Sequence, residues 1–351
     1  MALPLTSPPA TLCILRLSAV GDICHTIPIV RTLQQMWPET KLTWIIGKLE
    51  STLVGDIPGI EFIIFDKAKG FHAYRELRQQ MKSRHFDVLL HMQMSLRASL
   101  ASLLIPAKIR LGFDKQRAND MQWLFTNARI AYQPKQHVMD SLFGFLEALG
   151  IQQRVLEWNI PIPAAAHNEI KGLLPQQPFM VISPCSSMAY RNWTVEGYAE
   201  VIDYTEEKYH LPTVLTGSPS TIELEYGEKI SRLCKHKPIN LVGKTNLKQL
   251  LVILQQAELL IAPDSGPAHM ATAVGTPVIG LYAATNPDRA RPYLCPNLVV
   301  NRYPDAVYKK YEKSVDEVPW GSRIREPGTM ERISIEDVKA MLDQHLNANS
   351  T

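Results

Sequence analysis

The chain has 351 residues, of which 46% are hydrophobic and 20% are charged, and its formal net charge is +3. The length predicts two domains of roughly 150 residues each, and the composition excludes a largely disordered chain. The weak positive charge suits an anionic substrate or a membrane surface, but it is too small to support nucleic-acid binding.

The five cysteines are scattered, without a CxxC pair or a short-spaced group with histidine. This spacing argues against a structural zinc site, and the odd count indicates a reducing compartment. The N-terminal residues lack the pattern of a signal peptide, and no apolar run reaches the roughly 18 residues of a membrane span. We therefore expect a cytoplasmic protein that at most rests on a membrane.

Short apolar runs alternate with longer amphipathic segments in the first half of the chain. The runs that predict strands are 11–17, 41–47, 61–65, 86–92 and 107–113. The segments that predict helices are 23–36, 71–84, 95–104 and 137–149. Alternation of strand and helix predicts parallel βαβ units.

The second half repeats this alternation after a proline-rich segment, 157–178, that predicts a linker with one helix. The predicted strands are 179–184, 212–217, 239–243, 258–264 and 277–282. The predicted helices are 194–209, 220–234, 246–256 and 267–274. Residues 284–330 predict no element, and 334–347 predict a tail helix capped by Ser334, with Asp337 three positions on.

Both halves therefore predict a doubly wound α/β domain with a parallel sheet. We place these domains at 1–160 and 179–330, with a linker at 161–178. The helix within 331–351 is expected to pack back on the N-terminal domain. Ligands of such sheets bind beyond the carboxyl ends of the strands, so the loops after the strands and the cleft between the domains are where we expect the site.

The first loop reads LRLSAVGDICHTIP from residue 15. Gly21 permits a tight turn, but the sequence is not GxGxxG, which disfavours an NAD-dependent dehydrogenase. Asp22 is either a helix cap or a general base facing the cleft, and these residues alone do not separate the two. His25, one helical turn later, is either a core residue or a substrate contact.

The loop after strand 179–184 carries Ser186, Ser187 and Arg191. Two hydroxyls and a planar guanidinium suit a phosphate group. A loop with a solvated arginine is the alternative reading.

Gly217 follows the next predicted strand and lets a ligand approach the backbone. Glu223 or Glu225, in the helix after it, suits the hydroxyls of a ribose. A solvated helix face explains both glutamates as well.

The sharpest motif is APDSGPAHMATAVGTP, residues 262–277. A buried strand ends in Asp264, and Ser265 and Gly266 turn the chain into a short helix that carries His269 on its first turn. Backbone N–H groups at such a helix start can hold a pyrophosphate. Asp264 as a mere cap is the alternative.

Two segments carry a resemblance to a known family. Residues 14–33, ILRLSAVGDICHTIPIVRTL, and 262–287, APDSGPAHMATAVGTPVIGLYAATNP, resemble motifs of the ADP-heptose:lipopolysaccharide heptosyltransferases of glycosyltransferase family 9. The resemblance covers nearly the whole chain, and residues 112–130 resemble the heptosyltransferase I subgroup. It implies the GT-B fold, in which two Rossmann-like domains face each other across a cleft.

The resemblance also implies a reaction. Heptose moves from ADP-L-glycero-β-D-manno-heptose to a 3-deoxy-D-manno-octulosonic acid (Kdo) residue of lipid A, with inversion at the anomeric carbon. Asp22 matches the family's general base, and domain closure brings base and donor together and excludes water. The family needs no metal or other cofactor, and it acts at the cytoplasmic face of the bacterial inner membrane, to which the protein binds peripherally.

The donor-binding residues that the resemblance implies are Ser186, Ser187, Arg191, Gly217, Glu225, Asp264, Ser265, Gly266 and His269. The family more often has Thr-Thr and Lys in the first of these loops, so the hydroxyls remain while an arginine replaces the lysine. Asp264 is expected to contact the heptose hydroxyls, and His269 and the turn amides are expected to hold the diphosphate.

The acceptor is anionic, because it carries the Kdo carboxylate and the lipid A phosphates. Basic residues of the first domain are therefore expected to bind it. This group consists of Lys67, Lys69, His72, Arg75, Arg78, Arg97, Lys115 and Arg117, with His25 beside the base. The alternatives are a GT-B transferase with another nucleotide sugar and a non-catalytic protein that binds nucleotide sugars.

Overall fold

The computed structural model describes residues 3–348, and the chain divides between Pro161 and Ile162 into two compact units. The division falls one residue beyond the predicted end of the first domain. Each unit contains one parallel sheet of six strands with helices around it. No helix in this described range is long and apolar enough to cross a membrane.

The N-terminal unit has the strand order β3-β2-β1-β4-β5-β6. Its strands are β1 (Thr11–Leu15), β2 (Lys41–Gly47), β3 (Ile60–Phe65), β4 (Phe86–His91), β5 (Ala107–Gly112) and β6 (Ala128–Arg129). Its helices are α1 (Val20–Met36), α2 (Lys48–Val54), α3 (Phe71–Met81), α4 (Leu96–Ser102) and α5 (Val138–Leu149).

The order of this sheet reverses between β1 and β4. The chain leaves β1 for β2 and β3 on one side and then returns to β4 on the other side. The residues from Leu12 to Leu15 have no exposed surface, as expected for a central strand covered on both faces. The loops that follow β1 and β4 therefore meet at a crevice, which is the usual ligand position in this kind of sheet.

The C-terminal unit has the order β12-β11-β10-β7-β8-β9 and reverses between β7 and β10. Its strands are β7 (Met180–Ile182), β8 (Thr213–Leu215), β9 (Ile239–Asn240), β10 (Leu259–Pro263), β11 (Val278–Tyr282) and β12 (Val299–Asn301). Its helices are α6 (Ala164–Ile170), α7 (Val195–Tyr209), α8 (Thr221–Leu233), α9 (Leu247–Gln256), α10 (Gly266–Val274), α11 (Pro287–Ala290), α12 (Tyr303–Tyr311) and α13 (Ile335–Ala348).

Two connecting segments contain regular structure, one of them the helix that the linker was predicted to hold. The predicted linker 161–178 contains α6, whose Ala166 and Ile170 are buried, and which packs on α9 of the second unit. The region 284–330, for which no element was predicted, contains β12 and α12. A short helix and an edge strand of three residues carry too little hydrophobic periodicity to be recognised from the sequence.

The tail helix α13 packs within the C-terminal unit, and the expectation that it also packs on the N-terminal domain stays a prediction. Val338 and Leu342 lie on one face of α13 and are fully buried in the core that α7 shares. Asp343 accepts a hydrogen bond of 2.7 Å from the Tyr204 hydroxyl of α7. The predicted cap is present, because Ser334 Oγ accepts from the backbone N–H of Asp337 at 3.1 Å.

Candidate functional site

The crevice of the first sheet holds an ion pair between Arg16 and Asp22. Asp22 lies in the first turn of α1, and its Oδ2 is 2.7 Å from Arg16 Nη2. The backbone N–H of Ala19 donates to the same oxygen at 3.2 Å. The Asp22 side chain is 36% exposed and that of Arg16 only 9%. The guanidinium thus fixes the direction of the carboxylate, while solvent and ligands can still reach it.

Arg16 is held in turn by the loop after β4. Its Nη1 donates to the carbonyl oxygen of Met92. Gln93 Oε1 accepts from the backbone N–H groups of Leu17, at 2.6 Å, and Ser18, at 3.2 Å. The sequence analysis did not single out Arg16 or Gln93. The available signal was a cation at the end of an otherwise apolar run, TLCILRL, where an unpaired charge is costly.

A cavity of about 380 Å³ opens at the same carboxyl edge of the first sheet, and Leu17 and Ser18, which follow Arg16 in the chain, belong to its lining. Residues that follow β1, β2, β3 and β4 all contribute to its lining. Charged and polar residues in the lining of the cavity include Ser18, Lys48, Glu50, Lys67, Gln93 and Arg97. This half-open space at the ligand edge of the sheet is lined by the three cations Lys48, Lys67 and Arg97 and by the two carboxylates Glu50 and Asp66, and the excess of cations suits a small anionic group.

The predicted acceptor cations occupy different environments. Arg97 is exposed on α4 and lines the cavity. Lys69 pairs with Glu76 at 2.7 Å, and Arg75 is exposed on α3. Lys115 lies over the Trp123 ring, 5.3 Å from its centroid. Of the predicted acceptor cations, Lys67 and Arg97 line the cavity, whereas Lys69, Arg75 and Lys115 do not.

Arg117 was predicted to bind the acceptor, but its guanidinium is engaged inside the unit. Its Nε pairs with Asp114, and its Nη2 donates to the carbonyl of Ala131 at 2.8 Å. Its Nη1 donates to Gln136 and, at 3.1 Å, to Ser141 Oγ. These contacts join the segment after β5 to α5, and binding of the acceptor by Arg117 stays a prediction.

His25 is 4% exposed and meets the ring of His137 edge-on, with centroids 5.5 Å apart. His137 is the N-cap of α5, where its Nδ1 accepts from the backbone N–H of Met139 at 3.1 Å. This burial favours the core role for His25 over contact with an acceptor, which stays a prediction.

The crevice of the second sheet holds a second ion pair, Arg191 with Asp264. Arg191 comes from a single helical turn after β7, and Asp264 directly follows β10. Arg191 Nη1 is 3.1 Å from Asp264 Oδ2 and donates to the Asp264 carbonyl at the same distance. Both side chains are largely buried, with 15% and 12% exposed. His269 Nε2 lies 4.0 Å from Asp264 Oδ1.

The start of α10 lies beside this pair. Ser265 is the N-cap, Gly266 is the first helical residue, and Pro267 follows it. Ser265 Oγ is buried and has no hydrogen-bond partner among residues 3–348. Backbone N–H groups of the first helical turn have no acceptor within the helix, so they can bind an anion.

The loop after β7 supplies the two predicted serines. Ser186 is buried, and its backbone N–H donates to Asn192 Oδ1 at 2.8 Å, whereas Ser187 is exposed. A hydrogen bond thus holds the backbone of the loop at Ser186, while the side chain of Ser187 is accessible to a ligand. Because β7 and β10 are neighbours, both serines and the Arg191–Asp264 pair lie at the same edge of the sheet.

The structure distinguishes between the two glutamates near Gly217. Glu223 accepts from the backbone N–H of Ser218 at 2.7 Å, and a Cβ on Gly217 would lie 2.8 Å from Glu223 Oε2. Glu225, the predicted donor contact, is exposed on the second turn of α8. Glu223 therefore lies at the end of β8, and the glycine leaves the space its carboxylate needs.

Within residues 3–348 no group of three or more His, Cys, Asp or Glu residues is placed to hold a metal ion. The cysteines are free thiols in the described range. Burial raises the pKa of Cys24, which lies in α1 near the ion pair, to about 12. A thiol that stays protonated is a poor nucleophile, so the carboxylates remain the candidates for proton transfer.

Comparison with known proteins agrees with these features. Residues 74–318 match the sequence model of glycosyltransferase family 9 (heptosyltransferase). The chain is 41% identical to the lipopolysaccharide core heptosyltransferase OpsX of Haemophilus influenzae over 334 residues, which cover 95% of this chain and 96% of that protein.

Two solved structures share the fold. A family 9 glycosyltransferase from Veillonella parvula matches with a TM-score of 0.80 and 21% identity, over 98% of this chain and 99% of that one. The E. coli heptosyltransferase WaaC, solved with ADP, matches with a TM-score of 0.69 and 18% identity, over 95% of this chain and 99% of that one. The expected GT-B fold is thereby confirmed.

Proposed function

This chain belongs to glycosyltransferase family 9, the heptosyltransferases, and we propose that it moves heptose from ADP-heptose to a Kdo residue of lipid A. The relative from Haemophilus influenzae is named for the lipopolysaccharide core, which supports an acceptor of this class. The observation that carries the proposal is the exposed, ion-paired carboxylate of Asp22 at the crevice of the first sheet.

In this proposal Asp22 is the general base. An acceptor hydroxyl attacks the anomeric carbon of the donor while Asp22 takes the proton of that hydroxyl. The bond from the anomeric carbon to the ADP oxygen breaks, and attack from the opposite face inverts the configuration. Arg16 keeps the carboxylate aimed before the reaction.

The donor binds at the crevice of the second sheet. The ADP found with WaaC supports an ADP-linked donor, because that protein shares the fold. The N–H groups at the start of α10, Ser186 and Ser187 hold the diphosphate, and Arg191 neutralises charge that develops on the leaving ADP. Asp264 binds heptose hydroxyls with its second oxygen, and His269 assists at the diphosphate. No metal takes part.

The acceptor enters the cavity at the sheet edge that carries Asp22. Lys48, Lys67 and Arg97 line its rim and match the negative charge of the Kdo carboxylate or of a lipid A phosphate. Ser18 and Gln93 belong to the same lining and to the loops that brace the base. The acceptor sugar is thereby held next to the group that deprotonates it.

A surface beside the cavity fits the cytoplasmic face of the bacterial inner membrane. Leu96, Leu100 and Leu103 recur at helical spacing and are all exposed, as is Phe71 at the start of α3. The Tyr74 hydroxyl of α3 donates to the carbonyl of Arg97 in α4, which joins the two helices. We name this the α3–α4 surface. Its leucines enter the interface while the surrounding lysines and arginines meet anionic lipid headgroups.

The direct test is the transfer reaction with purified protein, ADP-heptose and Kdo-lipid A. We expect a product heavier by one heptosyl unit, detected by mass spectrometry, and release of ADP. Acceptor that keeps its mass while the protein remains folded contradicts the proposal.

A GT-B transferase with another nucleotide sugar is tested separately by thermal unfolding. ADP is expected to raise the melting temperature, and UDP and GDP are expected to leave it unchanged. Stabilisation by UDP alone contradicts the assigned donor.

Membrane attachment is tested with vesicles that contain anionic phospholipid. Replacing Leu96 and Leu100 with serine is expected to weaken vesicle binding, because the apolar contact is lost. Transfer to a delipidated, soluble acceptor is expected to stay within about twofold, since the cavity is untouched.

A further inference from the structure

A second carboxylate, Glu50, lies in the cavity at the sheet edge that carries Asp22. Glu50 is in the first turn of α2 and is only 6% exposed. Its side chain belongs to the cavity lining, together with Lys48 and Lys67. Neither the sequence analysis nor the proposed reaction assigns this residue a task.

The Glu50 carboxylate has no partner in another residue. Among residues 3–348 no side chain or backbone group of another residue makes a hydrogen bond or ion pair with it, and its own backbone N–H is its one contact. Burial accordingly raises the pKa of Glu50, and the nearby charge of Lys67 only partly opposes this. The helix start offers slight compensation, but a buried, unpaired carboxylate costs stability.

The backbone makes room for this costly group. A Cβ on Gly47 would lie 2.3 Å from Glu50 Oε2 and 2.4 Å from the carbonyl oxygen of Leu17. Only a glycine at position 47 lets the carboxylate sit against β1 and β2 at this depth. The local geometry is therefore built around a carboxylate that has no hydrogen-bond partner in another described residue.

The charges of the cavity are arranged by depth. Lys48, Lys67 and Arg97 are exposed, whereas Glu50 is buried. Lys48 is already paired at the surface with Asp66, at 3.3 Å. A ligand with an anionic group for the rim and hydroxyl groups for the interior satisfies both sets. Hydroxyls can donate to both oxygens of a carboxylate without neutralising it.

We propose that Glu50 recognises the acceptor sugar by accepting hydrogen bonds from hydroxyl groups that are not themselves glycosylated. This inference rests on the proposed function, because it assumes that the acceptor sugar occupies the cavity. It places the anion-binding groups at the rim and the hydroxyl-binding carboxylate inside, at the same sheet edge as the base Asp22. Glu50 therefore sets which sugar is accepted and how it is oriented, and Asp22 performs the proton transfer.

The first test compares Glu50→Ala and Glu50→Gln with the wild type in the transfer assay. Losing hydrogen bonds to a charged group is expected to raise the acceptor KM about 10- to 100-fold in Glu50→Ala. Glu50→Gln keeps one acceptor oxygen, so a smaller rise is expected. The KM of ADP-heptose is expected to stay within about twofold in both. The control is Glu39→Gln, an exposed glutamate of the same unit, which leaves both constants unchanged.

Thermal unfolding separates recognition from a structural role. Glu50→Gln removes an unpaired buried charge, so its melting temperature is expected to equal or exceed that of the wild type while its acceptor KM rises. A lower melting temperature with equal losses for donor and acceptor indicates a structural role and overturns the proposal. An unchanged acceptor KM in Glu50→Ala overturns it as well.

Acceptors that lack single hydroxyl groups identify the contact. Removing a hydroxyl bound by Glu50 is expected to weaken the acceptor for the wild type but not further for Glu50→Ala. Equal losses in both proteins for every analogue contradict the proposal. Failure of the proposed function appears differently, because the wild type then transfers no heptose to the unmodified acceptor.

Discussion

Each of the two sheets has an Arg–Asp ion pair at the crevice where its strand order reverses. The two pairs differ in how far their carboxylates are exposed to solvent. In the N-terminal unit Arg16 and Asp22 are 2.7 Å apart, and the carboxylate is 36% exposed. In the C-terminal unit Arg191 and Asp264 are 3.1 Å apart, and the carboxylate is 12% exposed. Each pair lies where the strand order reverses.

This difference in exposure separates two uses of an Arg–Asp pair. An open carboxylate can meet a substrate and exchange a proton with it, as a general base must. A closed pair holds two loops in register, since Arg191 also binds the backbone carbonyl of Asp264. The first pair therefore suits chemistry and the second suits the shape of a binding site.

The largest expected effect comes from deleting the buried carboxylate. Asp264→Ala leaves Arg191 without its partner in a largely buried site, so the free energy of unfolding is expected to fall by about 3 kcal/mol or more. Asp22→Ala also leaves a largely buried arginine without its partner, since the Arg16 side chain is 9% exposed, but water can reach it through the position of the 36% exposed carboxylate, so a smaller loss of about 1 to 2 kcal/mol is expected. Urea unfolding of both variants measures this, and equal losses contradict the comparison.

The next effect concerns catalysis. Asp22→Asn keeps the size of the side chain but removes the base, so kcat is expected to fall at least about 100-fold. Binding of ADP, measured by calorimetry, is expected to remain within about twofold. The matched control is Asp305→Asn, another exposed aspartate that pairs with an arginine, at 3.5 Å, which is expected to keep full activity. A wild-type kcat in Asp22→Asn would contradict the assignment of Asp22 as the general base.

Exchanging each arginine for lysine sharpens the comparison. Lysine cannot bind two acceptors in the planar arrangement of a guanidinium. Arg16→Lys is expected to lower kcat about 10-fold or more, because the base loses its orientation, with little change in ADP affinity. Arg191→Lys is expected to weaken ADP binding by a similar factor. Steady-state kinetics measures kcat, and calorimetry measures ADP affinity, in both variants. Equal changes of kcat and of ADP affinity in the two variants would contradict the different roles of the two ion pairs.

The smallest expected effect is a pH dependence confined to the first sheet. His91 in β4 is fully buried, and burial lowers its pKa from 6.5 to about 3. Its neutral ring is held between Ser99, at 3.3 Å, and Gln122, at 3.2 Å. In the described range no strand of the second sheet contains a histidine.

In the unfolded chain His91 is therefore protonated below pH 6.5, whereas in the folded chain it stays neutral down to about pH 3. Stability is full above pH 6.5 and is lost as the pH falls. Between pH 7.5 and 5.5 this loss is about 1 kcal/mol. Urea unfolding of His91→Gln is expected to show a flatter pH dependence than the wild type. The exposed control His85→Gln is expected to follow the wild type, and parallel slopes for His91→Gln contradict the assignment.

Much of the fold could be predicted because it depends on local patterns. The helices α7, α8, α9 and α10 begin and end within about two residues of their predicted bounds, as capping residues such as Thr194 and Ser220 indicated. The elements that were missed, α2 among them, are short and carry little periodicity. Missing α2 also meant missing Glu50, because an acidic residue in a short amphipathic stretch looks like a solvated one.

The amino-acid order by itself determined the two parallel sheets, the strand-end loops and the two aspartates at those loops. These follow from hydrophobic periodicity, glycine turns and caps, which act over a few residues. Only the tertiary structure decided that Arg16 pairs with Asp22, that Glu223 and not Glu225 reaches Gly217, and that Arg117 pairs with Asp114. Such pairings depend on which strands become neighbours, and the burial that makes a charge costly or useful exists only after they do.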